Sequence, residues 1–269
     1  MWNKTRLIIL AVVAVMLLTA GCSHRAVTNE AKSEDKPELV IGAEFYEPFF
    51  YMDDDGKING LDAEIIEEAC QRIGYVPRFK IIRWENKDAA LKSREIDVIW
   101  SCFPMTDRES EYLWAGPYLY DRQILMVDSD SGKTKLSQLA GCRIGVQIAT
   151  QSETRLLSGG ANIPQGIQVI SFDTLDEAVA ALREGAVDAV ASHESSLLHY
   201  TQNEPDRFYE LPQEIRKVCL GAAFAKDGNK ILAKALQQTL LDMLADGTTA
   251  EIVARHGMDP ERFAREGGI

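Results

Sequence analysis

Residues 89–100 read AALKSREIDVIW, and residues 180–191 read AALREGAVDAVA. Each stretch gives the end of a helix, a basic residue, a tight turn, an aliphatic–Asp pair and a buried strand. The echo suggests two lobes of related build. Small ligands of open α/β sheets bind beyond the carboxyl ends of strands. The segments that follow the two echoes, 101–108 and 192–194, are therefore where the chemistry is expected.

The same rhythm extends outward in both directions. Leu39-Val40-Ile41-Gly42 is a short apolar strand. Residues 60–73 set Ile65, Ile66, Ala69, Cys70 and Ile73 on one helical stripe, and Gly74 caps its end. Further strands are expected at 78–82, 96–100, 142–147, 167–170 and 187–191. Helices are expected at 85–93, 151–158, 174–184 and 195–202. A long helix at 228–246 places Leu232, Leu236, Leu240, Met243 and Leu244 on one face, and another runs from 248 to 256. Alternating strands and helices imply α/β layers with mainly parallel sheets.

Composition narrows the function. The 269 residues carry 29 Lys+Arg against 41 Asp+Glu, a net charge of −12, with 46% apolar residues. This is globular composition, and the acidic balance argues against nucleic acid, which needs a basic face to displace counterions. Four His and five Cys at irregular spacing make no zinc signature, and no cofactor motif occurs. The net charge bears on solubility and steering rather than on pocket chemistry.

The N-terminus is an export signal. Lys4 and Arg6 precede an unbroken apolar run from Leu7 to Leu18, followed by Leu18-Thr19-Ala20-Gly21-Cys22. The run is too short for a spanning helix. Residues 23–37 are polar and aperiodic and read as a tether. The remaining cysteines, Cys70, Cys102, Cys142 and Cys219, sit in apolar stretches and are read as buried thiols rather than bridges, although export would permit disulfides.

Several segments together resemble the family 3 bacterial solute-binding proteins, the polar amino-acid receptors of ABC importers. They are IGAEFYEPFFYMDDDGKINGLDAEII (41–66), the helix start at Trp84, ALKSREIDVIWSCFPMTDRESEYLWAGPYLY (90–120), GCRIGVQIATQSE (141–153) and LADGTTAEIVARHG (244–257). The Leu-x-Ala-Gly-Cys ending resembles the bacterial lipobox, which implies cleavage before Cys22 and lipidation of that residue. Loss of residues 1–21 removes Lys4 and Arg6 and takes the net charge to −14. The resemblance implies an α/β, two-lobe periplasmic-binding-protein fold (type II) with two crossing strands near 121–128 and 214–222. Lobe 1 would comprise about 38–122 and 218–269, and lobe 2 about 123–217. Implied partners are a small amino acid or related carboxylate, the membrane subunits of an importer, and the membrane through the lipid. The protein would sit on the extracytoplasmic face, in the periplasm if the cell has two membranes.

The cleft follows residue by residue. A carboxylate is best held by a planar two-pronged donor. Arg108, nine residues before Pro117, matches the family's carboxylate-binding arginine; otherwise it would be a surface residue paired with Asp107 or Glu111. Thr150 stands in the family's Gly-Thr/Ser turn at a helix start, where backbone N–H groups favour anions, although Ala149 replaces the usual Gly. Tyr46 and Trp84 match the two stacking positions; the other reading makes each a core residue, because Phe45, Phe49 and Phe50 crowd the first loop. Glu44 either touches a polar ligand side chain or faces water, and Ser101 and Phe103 offer backbone groups.

Two departures stand out. Phe103 and Pro104 occupy the places where the family has a Thr. Counting from Asp188, His193 falls where the family has the acid that neutralises the ligand ammonium, with Glu194 next. Three outcomes stay open: Glu194 swings in, the ligand lacks a standard α-amino group, or neither residue faces the cleft. Besides transport, the residues admit a ligand-sensing lipoprotein, a structural lipoprotein, and an exported enzyme resembling cyclohexadienyl dehydratases with His193 and Glu194 as acid and base.

Overall fold

The computed structural model describes residues 36–267. The export signal, Cys22 and the tether to residue 35 lie outside the described residues. The chain is already held at Pro37, whose carbonyl accepts from Val76 N at 2.9 Å.

Two halves are built on one continuous nine-stranded sheet. In the first, β1 (Glu38–Ala43) lies between β4 (Val76–Ile81) and β5 (Val98–Ile99), all parallel. A two-stranded ribbon, β2 (Tyr51–Met52) with β3 (Ile58–Asn59), precedes α1 (Leu61–Ile73). That helix ends at Gly74 in the left-handed conformation, φ 78°, where the missing Cβ removes the steric cost. The helix expected at 85–93 is a single 3₁₀ turn, Trp84–Asn86, continued by α2 (Lys87–Lys92).

In the second half β7 (Arg143–Gln147) lies parallel between β8 (Gln168–Phe172) and β9 (Ala189–His193). The helices are α3 (Gln151–Ser158), α4 (Leu175–Arg183) and α5 (Glu194–Asn203). Two long strands join the halves, β6 (Leu113–Asp128) and β11 (Arg216–Phe224), with β10 (Phe208–Glu210) beside β6. These pairings are antiparallel, as are β11–β5 and β6–β9. The mainly parallel expectation therefore holds only at the two ends of the sheet. Helices α6 (Lys230–Ala245), α7 (Thr248–Arg255) and α8 (Pro260–Phe263) return to the first half. There α6 buries Leu232, Leu236, Leu240 and Met243, while Leu244 at its end is half-buried.

The sequence echo is a structural repeat. Arg94 and Gly185 both turn through positive φ, 59° and 70°. Glu95 N bonds Ala90 O at 3.0 Å, and Ala186 N bonds Ala181 O at 2.8 Å. Asp97 Oδ2 then accepts from Val40 N, and Asp188 Oδ2 from Arg143 N, each at 2.8 Å. The same aspartate thus ties each helix–strand turn to the neighbouring strand.

The cores change along the crossing strands. Ala115, Tyr118 and Leu119 of β6 pack with Ile41, Ile65, Leu220 and Leu236. From Ile124 onward the side chains alternate between two clusters: Ile124 and Met126 with Val179 and Val190, and Leu125 and Val127 with Ile144 and Leu156. Between these runs lie the buried polar residues Asp121 and Gln123. All four described cysteines are free thiols; Cys70 and Cys102 are buried, whereas Cys142 and Cys219 are half-exposed, contrary to the uniform burial expected. Among the described residues no helix is long and apolar enough to cross a membrane.

Gly60 is where this packing leaves no room. It sits at φ 125°, and a Cβ there would lie 2.3 Å from Phe49 O, the acceptor for Asp62 N. Gly60→Ala should destabilise the fold by about 2–3 kcal/mol, read as a lower urea midpoint at unchanged m-value.

Candidate functional site

One cavity gathers the strand ends of both halves. It is tight, with a free volume of about 20 Å³. Glu44 and Tyr46 follow β1, Trp84 follows β4, and Ser101 to Pro104 follow β5, with Arg108 further out. From the other half come Gln147 at the end of β7, then Ala149, Thr150 and Gln151, and His193 at the end of β9. Each group sits beyond the carboxyl end of a parallel strand, where loops are free to carry polar atoms.

Arg108 is mostly buried, its side chain 17% exposed. Its guanidinium carbon lies 4.5 Å from the Phe103 ring centroid and 5.2 Å from that of Tyr112. Nε donates to Glu111 Oε2 and Nη2 to Tyr112 Oη, both at 3.0 Å. The arginine is thus paired with Glu111 and also lines the cavity; Asp107 is taken by Arg216 at 2.7 Å. Trp84 stands edge-on to Phe103 at 5.2 Å, so the indole, Phe103 and the guanidinium form one packed group.

The Thr150 side chain is used within the turn. Oγ1 donates to Gln147 O at 2.7 Å and accepts from Glu153 N at 3.2 Å, which makes it the N-cap of α3. The groups left to meet an anion are the first N–H groups of the helix, which have no intrahelical acceptor. Ala149 occupies the left-handed region at φ 58°. Its N–H donates to Glu153 Oε2 at 2.7 Å, and its carbonyl accepts from Lys87 Nζ at 3.0 Å.

Glu44 and Tyr46 reach across the groove. Gln147 Nε2 donates to both carboxylate oxygens of Glu44 at 3.0 Å. Burial pushes the Glu44 carboxyl up to about 8, opposed by Gln147 and by the charge of Lys87. Tyr46 Oη lies 2.6 Å from Ser192 Oγ. Burial also lowers the affinity of Lys87 for its proton, and its ammonium lies 4.9 Å from the Trp84 ring centroid.

Ser101, Phe103 and His193 line the cavity; Glu194 does not. Glu194 is 2% exposed and bonds Arg122 Nε at 2.8 Å, Arg122 Nη2 at 2.6 Å and Arg262 Nη2 at 2.5 Å. Turning it into the groove would strand two guanidinium groups, and breaking such a buried pair costs about 3–5 kcal/mol. The suggestion that Glu194 replaces the missing acid is therefore corrected. Gln147, Cys102 and Gln151 also line the cavity but were not singled out from sequence. Polar residues at strand ends were the available signal.

Two α/β cores on a shared pair of crossing strands, with polar groups converging from both sides on one groove, define the two-lobe periplasmic-binding-protein fold. Residues 39–259 match the bacterial extracellular solute-binding proteins, family 3, and the chain belongs to that family. It is similar to the L-cystine-binding protein TcyJ of Escherichia coli (strain K12), 28% identical over 243 residues, covering 88% of this chain and 90% of that one. It is also similar to the histidine-binding periplasmic protein of the same strain, 24% identical over 220 residues, covering 78% and 84%. The crystal structure of Tv2483 bound to L-arginine matches at a TM-score of 0.77 and 26% identity, covering 85% of this chain and 94% of that one. These relatives are binding proteins, and the chain is a solute-binding protein rather than an enzyme. The acid/base roles considered for His193 and Glu194 fall with that finding.

Two outcomes follow from the geometry. Glu44 holds its proton more tightly folded than unfolded, so the ligand-free protein loses stability as pH rises from about 4.5 to about 8. Glu44→Gln should flatten that part of the profile and raise the melting temperature relative to wild type near pH 8. Ala149→Gly should relieve the left-handed strain and stabilise the fold by up to about 1 kcal/mol, seen as a higher urea midpoint.

Proposed function

We propose that the chain is the lipid-anchored capture subunit of an ABC importer for an amino acid bearing a second cationic or donor group. The observation that carries this reading is the convergence of Arg108, Glu44, Trp84 and Tyr46 on one inter-lobe cavity. Arg108 and the first N–H groups of α3 take the carboxylate, and the two rings flank the aliphatic part. Glu44 takes the side-chain cation, which offsets the cost of an ionised carboxylate in a desolvated groove. Cystine, histidine and arginine, the ligands in the names of the relatives, each carry such a group. The Leu18–Cys22 sequence supports lipidation at Cys22, and residues 23–35 supply the tether.

Lobe 1 is assigned about 38–122 and 218–269, and lobe 2 about 123–217. This division is supported by the change of core between Leu119 and Ile124 and between Ile215 and Val218. Closure brings both lobes onto the ligand, and the importer reads the closed form. Contacts already bridging the groove include Tyr46–Ser192, Lys87–Ala149 and Gln151 Nε2 to Thr106 O at 2.5 Å.

Titration calorimetry with L-arginine, L-histidine, L-cystine, L-leucine and L-glutamate tests the reading. One of the first three should bind, and Arg108→Ala should weaken it at least about 30-fold, since losing a buried charged partner costs about 2–5 kcal/mol. Tightest binding of leucine or glutamate, or unchanged affinity in Arg108→Ala, would reject it.

A further inference from the structure

A cationic amino acid brings two positive groups into the groove, yet Glu44 is the one acid among the lining residues. Resting on the amino-acid reading above, the structure supplies a second acceptor in two parts. His193 lines the cavity with its side chain 8% exposed, and Asp121 of the crossing strand β6 lies behind it at 1% exposure. His193 Nδ1 is 3.4 Å from Asp121 Oδ2 and makes no hydrogen bond to protein.

Asp121 is held in place from both sides. Oδ1 accepts from Arg122 N at 2.7 Å and from Ser195 N at 3.5 Å, and Oδ2 accepts from Ser195 Oγ. The Arg122 guanidinium goes to Glu194 instead, leaving the imidazole facing the buried carboxylate. Cys102 completes the cluster, its Sγ within 4.8 Å of the other two groups. Burial and the nearby acids Asp121 and Asp62 push its thiol well up, so it stays neutral.

We propose that His193, oriented by Asp121, is the acceptor for the ligand α-ammonium group. In the ligand-bound protein Nδ1–H closes the 3.4 Å gap to Asp121 Oδ2 and donates to it, which leaves the Nε2 lone pair for the ligand. The tautomer of an imidazole is set by the partner of its other nitrogen. A carboxylate behind the ring adds negative potential along the line on which the ammonium approaches. Asp121 is thus a positioning residue acting through His193, and the buried charge of the site is split between a hidden carboxylate and an exposed lone pair.

Paired ligands test this. L-arginine, L-histidine and L-cystine are titrated beside their deaminated counterparts, guanidinovalerate, imidazolepropionate and dithiodipropionate. For whichever amino acid binds, His193→Phe should weaken it at least about 30-fold and change the deaminated partner by less than about 3-fold. His193→Gln keeps an acceptor and should lose less than His193→Phe. Asp121→Asn should weaken the amino acid about 10-fold and shift the ¹⁵N resonances of the His193 ring away from the Nδ1–H tautomer. Thermal melts of each variant separate folding from binding.

Equal losses for both members of a pair, or ring resonances indifferent to Asp121→Asn, would overturn the proposal alone. So would loss of amino-acid discrimination in Glu44→Gln rather than in His193→Phe, because Glu44 would then be the ammonium acceptor. Stoichiometric zinc in the purified protein, lost in His193→Phe, would assign the Cys102–Asp121–His193 cluster to a metal and overturn it too. Wild-type protein binding neither member of any pair would bring down the amino-acid reading itself, and the proposal with it.

Discussion

Strands β6 and β11 are hydrogen-bonded from the Leu113↔Phe224 pair to the Gln123↔Arg216 pair, and both cores are built against that one ribbon. A strand that leaves one core and enters another must change character on the way. In β6 the change falls on Tyr120 to Gln123, where apolar alternation gives way to Asp121, Arg122 and Gln123. The two charged groups need partners, because burying them unpaired costs more than the strand ladder returns; the buried Gln123 amide beside them has none. Arg122 finds Glu194, and Asp121 finds Ser195 and faces His193. The polarity of the ribbon and the polarity of the groove are one requirement.

The groove itself is electrostatically unfinished. Glu44 is driven toward its neutral form, Lys87 is stripped of water, and Arg108 is held by Glu111 on one side and by aromatic faces on another. Groups kept in such surroundings respond strongly to an opposite charge, since the low dielectric that disfavours them alone favours them paired. A zwitterion is suited to such a place. The contacts that already span the groove are short-range and polar, so they can be exchanged for ligand contacts without dismantling either core.

The local pattern was legible to within a few residues. The helical stripe ending at Gly74 and the two helix–turn–strand echoes stand where periodicity and turn chemistry put them. The crossing strand was harder to see. Its apolar positions serve two cores, so Leu113–Asp128 has no single period, and the expected crossing at 121–128 covers only its second half. The helix at 85–93 divides because Trp84 opens a 3₁₀ turn, and its ring is spent on the cavity rather than on the helix face.

The alternation of elements and the two helix–turn–strand echoes are written in the sequence, because each depends on neighbours a few positions away; the ties that Asp97 and Asp188 make to Val40 and Arg143 span 57 and 45 residues and belong to the packing. What the charged residues do is set by long-range packing. Glu194 follows His193 directly, yet one meets Arg122 and Arg262 while the other faces Asp121 and the cavity. Those partners lie some 70 residues apart in the chain, and the choice rests on which buried charge is met by an opposite one. Spacing along a strand carries no record of that.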